Sequence, residues 1–202
     1  WTRGAKDAVG TAYAAGSRVW YTLAQGVLNE VYYPTIDRPQ IRDVQYLITD
    51  GQSFFHDERR HLNSQTEVLS SHSLGVRIVN SDPDGRYRIV KEVIADPHQA
   101  CVLIHTHLSA SPELLPTLRL FALCAPHLDV GGWGNHGQVV NIAGRIVLIA
   151  HKNHTWMALG ATSPFNRASC GYVGINDGWQ DLAENFSLDW SFDCANDGNI
   201  AL

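Results

Sequence analysis

The sequence predicts an all-β protein built as a large antiparallel β-sandwich or barrel. Runs of alternating, β-branched and aromatic residues recur about every ten positions, separated by turn-forming residues. Helical periodicity is scarce. The 202 residues, 45% hydrophobic and only 17% charged, are enough to bury a substantial core. We therefore expect residues 1–202 to form one sandwich domain.

The individual strands follow from the turns between them. Asp50-Gly51 tolerates the backbone angles of a tight hairpin turn, and similar turn residues follow at 82–85 and at Gly144. The predicted strands are 17–23, 26–34, 43–49, 52–58, 73–79, 86–94, 138–143, 145–150 and 155–161.

The C-terminal third carries two further elements. One short helix is expected around Trp179–Glu184, and an Asn-Asp-Gly turn precedes the start of a strand at 199–202. That strand leaves no room for a following partner, so we expect a domain truncated at its C-terminal end. Because the first residue is Trp1, we expect a processed product or a piece of a longer protein. The sequence does not fix the localisation, and a secreted or periplasmic source is favoured over a cytoplasmic one.

The four cysteines are too few for a disulfide scaffold, but one pairing can be argued. The runs 101–108 and 117–124 resemble the two strands of a hairpin whose apolar residues share one face. In that register Cys101 faces Cys124, which would allow a cross-strand disulfide. The main interpretation is that the cysteines are free thiols in the core, and the disulfide is the alternative.

Composition excludes two classes of partner. The formal net charge is −5 and no run of Lys or Arg forms a basic patch, so we expect no nucleic-acid partner. No stretch approaches the ~18 consecutive apolar residues of a membrane span, so we expect no membrane partner.

The segment 26–34 offers a candidate sugar-contact site. Aromatic rings stack on pyranose faces and a carboxylate accepts hydroxyl hydrogen bonds, so Glu30, Tyr32 and Tyr33 could line a subsite. The alternative is structural: the tyrosines pack in the core and Glu30 pairs with Arg42 or Arg18.

Calcium is the one cofactor that the sequence suggests. The turn 176–178 with Asp177 and the nearby Asp181 could supply oxygen ligands, as could Asp193 with the turn 196–198. Neither matches an EF-hand loop, and Asn-Asp-Gly is also common where a turn needs positive φ. No other cofactor is expected.

A histidine set suggests a different kind of metal site. His105 and His107, with Glu113 and His136, approximate the His-x-His, carboxylate and His pattern of metal-binding cupin barrels. The spacing to Glu113 is long, and the alternative is histidines on a half-exposed strand face.

Several long motifs resemble the N-terminal domain of bacterial glucoamylases and glucodextranases, which belong to glycoside hydrolase family 15. They extend in order over essentially the whole chain: WTRGAKDAVGTAY, SRVWYTL, GVLNEVYYPTIDRPQIRD, YLITDG, APHLDVGGWGN and GYVGINDGWQDL. The resemblance implies a β-supersandwich joined to an (α/α)6 barrel. It also implies an inverting, exo-acting enzyme that releases glucose from the non-reducing ends of α-glucans.

The resemblance assigns no catalytic residue to this chain. An inverting glycosidase needs an acid and a base carboxyl group, and the family places both on loops of the barrel. The sequence lacks the long amphipathic helices of such a barrel. We therefore expect a non-catalytic domain in which Glu30, Tyr32, Tyr33 and Trp133 lie against the barrel, near the substrate entrance. The partners implied are that barrel and an α-glucan, and the alternatives are an independent carbohydrate-binding module or a cupin-like enzyme.

Overall fold

A computed structural model describes residues 4–13 and 16–202, and it confirms the predicted all-β class. In chain order the elements are β1 (Ala8–Thr11), β2 (Trp20–Ala24), β3 (Val27–Tyr32), β4 (Pro39–Thr49), β5 (Phe55–Asp57), α1 (Glu58–His61), β6 (Asn63–Val68), β7 (Val76–Ser81), β8 (Tyr87–Ala95), β9 (Val102–Ala110), β10 (Arg119–Pro126), a 3-10 turn (Leu128–Val130), β11 (Asn135–Ile142), β12 (Arg145–Lys152), β13 (Thr155–Leu159), β14 (Gly171–Tyr172), α2 (Gly178–Asn185), β15 (Cys194–Gly198) and β16 (Ile200–Ala201).

Within the residues that the structure describes, the strands form three large antiparallel sheets and one small one. Sheet I has the order β1-β2-β3-β4-β10, with β5 also paired to β4. Sheet II has the order β6-β7-β8-β9, and sheet III the order β13-β12-β11-β15. Strands β14 and β16 form a two-stranded sheet. No helix within the described residues is long and apolar enough to span a membrane.

Sheet I packs against both of the other large sheets, which makes the architecture a sandwich. The largest core cluster joins Tyr21 of sheet I, Ile78 of sheet II and Leu148 of sheet III. The opposite face of β4 is also covered, because Leu47 packs against Leu182 of α2. Burial on both faces explains why β4 is a nearly continuous apolar run after Asp43.

Local turn chemistry predicted the neighbouring pairs well. Strands β11 and β12 pair up to Ile142 and Arg145, and the two turn residues Ala143 and Gly144 both have positive φ. The predicted β7–β8 and β4–β5 hairpins and strand β13 are also present. The helix expected around Trp179–Glu184 is α2.

The predicted hairpin between 101–108 and 117–124 is wrong. Strand β9 pairs with β8 in sheet II, whereas β10 pairs with β4 in sheet I. The two strands carry compatible apolar alternation, but each finds its partner elsewhere, and the segment between them crosses from one sheet to another. Cys101 and Cys124 are free thiols, as are Cys170 and Cys194.

The strand predicted at 199–202 is present as β16, but two other expectations about the C-terminal residues are wrong. The Asn196–Gly198 turn lies inside β15, where Asp197 has a φ of 54° and the register with β11 shifts as in a β-bulge. The final strand does have a partner, because β16 pairs with β14. The backbone of Leu202 also exchanges two 2.9 Å hydrogen bonds with Cys124.

Candidate functional site

Glu30 lies in a polar cluster on the face of sheet I that points away from the main core. Its carboxylate Oε2 accepts hydrogen bonds from the Tyr32 hydroxyl at 2.6 Å and from Thr22 Oγ1 at 3.4 Å. The ammonium of Lys6, which sequence reasoning did not single out, lies 2.7 Å from the same oxygen. Glu30 and Tyr32 are therefore brought together as predicted, and Lys6 supplies an ion pair.

The charges in this cluster stabilise one another. Burial alone would raise the pKa of Glu30, but the Lys6 ammonium and the two hydroxyls outweigh it and hold the pKa below its ordinary value. Burial, reinforced by the neighbouring carboxylate, raises the pKa of Tyr32 to about 12. Near neutral pH, Glu30 is thus an ionised hydrogen-bond acceptor and Tyr32 a donor, an arrangement suited to binding rather than to proton transfer.

Tyr33 belongs to a different environment from Glu30 and Tyr32. Its side chain packs against the main core, and the guanidinium of Arg18 lies 5.9 Å from its ring centroid. Its backbone carbonyl accepts a 2.7 Å hydrogen bond from Gln40 Nε2. Tyr33 therefore serves mainly to anchor the segment that follows β3.

The segment after β3 meets a second, Gly-rich segment, residues 127–134. We call residues 33–38 and 127–134 together the loop end. The Gln40 side chain joins them, because its Nε2 donates to the Tyr33 carbonyl and its Oε1 accepts a 2.8 Å hydrogen bond from the backbone N–H of Asp129. An ion pair of 2.6 Å between Arg38 and Asp129 closes the same junction. Tyr33 and Trp133, which were both predicted to lie against the barrel, are therefore on neighbouring segments.

The loop end presents large apolar side chains to solvent. Trp133 is 76% exposed, Ile36 63% and Val130 49%. The backbone beneath them is fixed by the buried Asn135, whose side chain accepts from Leu128 N–H and donates to the carbonyls of residues 131 and 132. A fixed, exposed apolar surface of this kind is typical of an interaction site.

The predicted calcium ligands have structural hydrogen-bond partners. The Asp177 carboxylate caps α2 through the backbone N–H groups of Trp179 and Gln180. The Asp181 carboxylate accepts a 2.6 Å bond from the N–H of Trp190. Across residues 4–13 and 16–202, no three His, Cys, Asp or Glu side chains gather as a metal-binding group. Calcium at this turn stays a prediction, which thermal unfolding with and without a chelator would test.

The predicted cupin-like histidine set does not assemble. His105 and His107 lie on β9 of sheet II, where His105 Nδ1 is 3.5 Å from Glu92. His136 lies on β11 of sheet III. The prediction is wrong because it assumed one barrel lumen, whereas the structure places these strands in separate sheets.

His136 belongs instead to a row of stacked rings that sequence reasoning missed. His136, His151 and Trp156 are aligned across β11, β12 and β13, with ring centroids 4.9 and 4.3 Å apart and planes within 24°. Trp156 lies on the edge strand and is 64% exposed. We call these three residues the ring row. Strand β12 has a hairpin turn at each end, and these turns fix its pairing with β11 and with β13. Counting residues outward from each turn would therefore have aligned the three rings.

Comparison with known proteins agrees with this architecture. The family described as "Glucodextranase, domain N" matches residues 1–202. A glucoamylase of Clostridium sp. (strain G0005) is 35% identical over 200 residues, which are 99% of this chain and 28% of that protein. The crystal structure of a bacterial glucoamylase complexed with acarbose matches with a TM-score of 0.95 at 34% identity, covering 100% of this chain and 30% of that one. The chain thus spans less than a third of either relative, and because the family match extends over its full length, it belongs to the glucodextranase domain N family.

Proposed function

We propose that this chain is the non-catalytic N-terminal domain of an exo-acting, inverting α-glucan hydrolase of the glucoamylase or glucodextranase type. The larger enzyme would release glucose from non-reducing ends, and this domain would pack against its catalytic (α/α)6 barrel. The extent of the similarity supports this role, because the whole chain matches while more than two thirds of each relative lies outside the match.

The loop end is the surface that we assign to the barrel. Stable interfaces have an apolar centre, often with an aromatic anchor, surrounded by polar groups. Trp133, Ile36 and Val130 supply such a centre, and the Arg38–Asp129 ion pair lies beside it. The observation that carries the proposal is that two distant segments are locked together to present these three side chains.

Matched isoleucine variants of the longer enzyme test this assignment. Ile36→Ala removes an exposed side chain at the loop end, and Ile142→Ala removes a 52% exposed one at the far end of β11. We expect Ile36→Ala and Trp133→Ala to lower the thermal midpoint of the barrel or its turnover of maltooligosaccharides. For Trp133→Ala, the interaction free energy between the domain and the barrel should fall by about 2 kcal/mol or more, as is typical of a central Trp. Ile142→Ala should change neither quantity. Equal effects of the two isoleucine variants would contradict the assignment.

The first measurement is simpler and tests the non-catalytic role. Glucose release from maltooligosaccharides, starch and isomaltooligosaccharides is compared for the 202-residue chain and for the enzyme extended through its downstream region. We expect activity only in the longer protein. Hydrolysis by the short chain would overturn the proposal, and Glu30 and Asp177 would be the first residues to mutate.

The ring row favours a second candidate function, an independent glucan-binding module. One indole face of Trp156 stacks on His151, and its edge-strand position leaves the side chain largely open. Exposed indoles stack well on sugar rings. In a pull-down with insoluble starch, the isolated wild-type chain and its Trp133→Ala variant should bind, and the Trp156→Ala variant should stay in solution. If wild-type chain and both variants stay in solution, this second function is excluded.

A further inference from the structure

Three polar side chains meet inside the sandwich, away from the surfaces discussed so far. Lys91 on β8, Asn80 on β7 and Glu58 at the start of α1 are each at most 2% exposed. Lysine and glutamate are almost never this buried unless they are paired. The pair register places Asn80 opposite Ile89, two residues before Lys91, so both side chains lie on the same face of sheet II.

The amine of Lys91 and the amide of Asn80 share two acceptors. Lys91 Nζ donates to Glu58 Oε2 at 2.6 Å and to the Gly26 carbonyl at 2.8 Å. Asn80 Nδ2 donates to Glu58 Oε1 at 2.6 Å and to the same carbonyl at 2.9 Å. The carboxylate therefore bridges the two nitrogens and holds the amine beside the amide.

The remaining contacts make the amide an electrophile and the amine a nucleophile. Ser64 Oγ donates to Asn80 Oδ1 at 2.7 Å, which polarises the carbonyl and would stabilise negative charge on that oxygen. Burial lowers the pKa of Lys91, against the opposing effect of Glu58. The Tyr46 ring, 5.0 Å from Nζ, and the fully buried Ile89 contribute to an environment that excludes water.

We propose that Lys91 and Asn80 form an intramolecular isopeptide bond, with Glu58 as the proton carrier. A purely structural ion pair would need only Lys91 and Glu58. Here the Asn80 amide adds an electrophile, and the Ser64 hydroxyl adds a group that can stabilise an oxyanion. The arrangement thus places a nucleophile and an electrophile against the same acid–base group, Glu58, which is the set of groups that nucleophilic catalysis requires.

The reaction balances without an external reactant. Glu58 accepts one proton from the Lys91 ammonium, and the neutral amine attacks Asn80 Cγ to form a tetrahedral adduct. A second proton passes from the attacking nitrogen, by way of Glu58, to Nδ2, which leaves as ammonia. The products are a secondary amide and a protonated Glu58. Both buried charges are removed, which offers a driving force because desolvated ion pairs are costly.

Intact mass spectrometry of the purified chain tests the proposal directly. We expect the mass to be lower than that of the sequence by one ammonia. Trypsin should fail to cleave after Lys91 and should yield one species in which residues 78–86 are joined to residues 89–119. Lys91→Met and Glu58→Gln should retain the full mass, while Lys152→Met, a change at a lysine outside the cluster, should still lose ammonia.

The wild-type protein decides the question even where a variant fails to fold. A mass equal to that of the sequence would overturn the proposal. So would a loss of ammonia that peptide mapping places at a residue other than Asn80, or that leaves Lys91 free. The result does not depend on the role proposed for the domain within a larger enzyme.

Discussion

The Tyr21 hydroxyl links sheet I to sheet II, and removing it should cost measurable stability. The side chain is fully buried, and the hydroxyl lies 2.8 Å from the Val93 carbonyl of β8 and 3.0 Å from the Leu74 carbonyl. Tyr21→Phe keeps the ring and deletes the donor. A lost hydrogen bond costs about 1 kcal/mol, and a buried carbonyl left without a partner costs roughly 1 to 3 kcal/mol. We expect a net loss of about 2 kcal/mol.

Urea-induced unfolding followed by fluorescence measures this loss. We expect a lower midpoint with an unchanged slope, since the surface exposed on unfolding stays the same. For a chain of this size, about 2 kcal/mol corresponds to a fall of roughly 4 to 8 °C in the thermal midpoint. Tyr13→Phe is the matched control, because Tyr13 is 87% exposed.

One result would refute the reasoning about Tyr21. If its midpoint shift does not exceed that of Tyr13→Phe, the Val93 carbonyl must find another donor at no cost. A changed slope would instead mean that the variant has altered the compactness of the native or unfolded state.

Four further predictions concern other parts of the fold. Gly10→Ala should destabilise the chain by roughly 1 to 3 kcal/mol in urea titration, because the new Cβ would lie 2.1 Å from the Tyr21 ring. Asp177→Ala should cost about 1 kcal/mol in the same assay, through loss of the α2 cap. A thiol reagent should label the exposed Cys194 in the native protein and the buried Cys124 only after unfolding. Burial raises the pKa of Tyr21 to about 12, so unfolding releases protons between about pH 10 and 12, and the free energy of unfolding should fall over that range, less steeply in Tyr21→Phe.

Sequence reasoning succeeded where structure depends on neighbouring residues. The turn at Gly144 and the Asp50-Gly51 turn set the pairing of the strands beside them, and α2 follows the capping residue Asp177. In each case a few consecutive residues determine the local backbone.

The same reasoning failed where partners are distant in sequence. The alternation in β9 and β10 fits a hairpin as well as it fits their true partners, because apolar periodicity defines which side chains are buried and not which strand lies alongside. The alternative of a disulfide between Cys101 and Cys124 depended on that pairing, and both residues are free thiols.

The candidate site shows the same division. The contact between Glu30 and Tyr32 follows from their spacing on one strand, two residues apart. The junction of the loop end could not be predicted, because it depends on both ends of the Gln40 side chain reaching segments far apart in the chain. Lys6 was missed for a similar reason, since a single lysine near a chain end carries no local signal.

The pairing of Leu202 with Cys124 bears on how the protein is synthesised. Strand β10 is bonded to β4 along one edge, but its other edge can pair with Leu202 only after residue 202 has emerged from the ribosome. At roughly 5 to 20 residues per second, about 4 to 16 seconds separate the emergence of Cys124 and Leu202 from the ribosome. An incompletely paired strand edge is a site for aggregation during that interval. We expect ribosome-bound chains from which residue 202 has not yet emerged to expose the Cys124 thiol, and chains in which it has emerged to bury it.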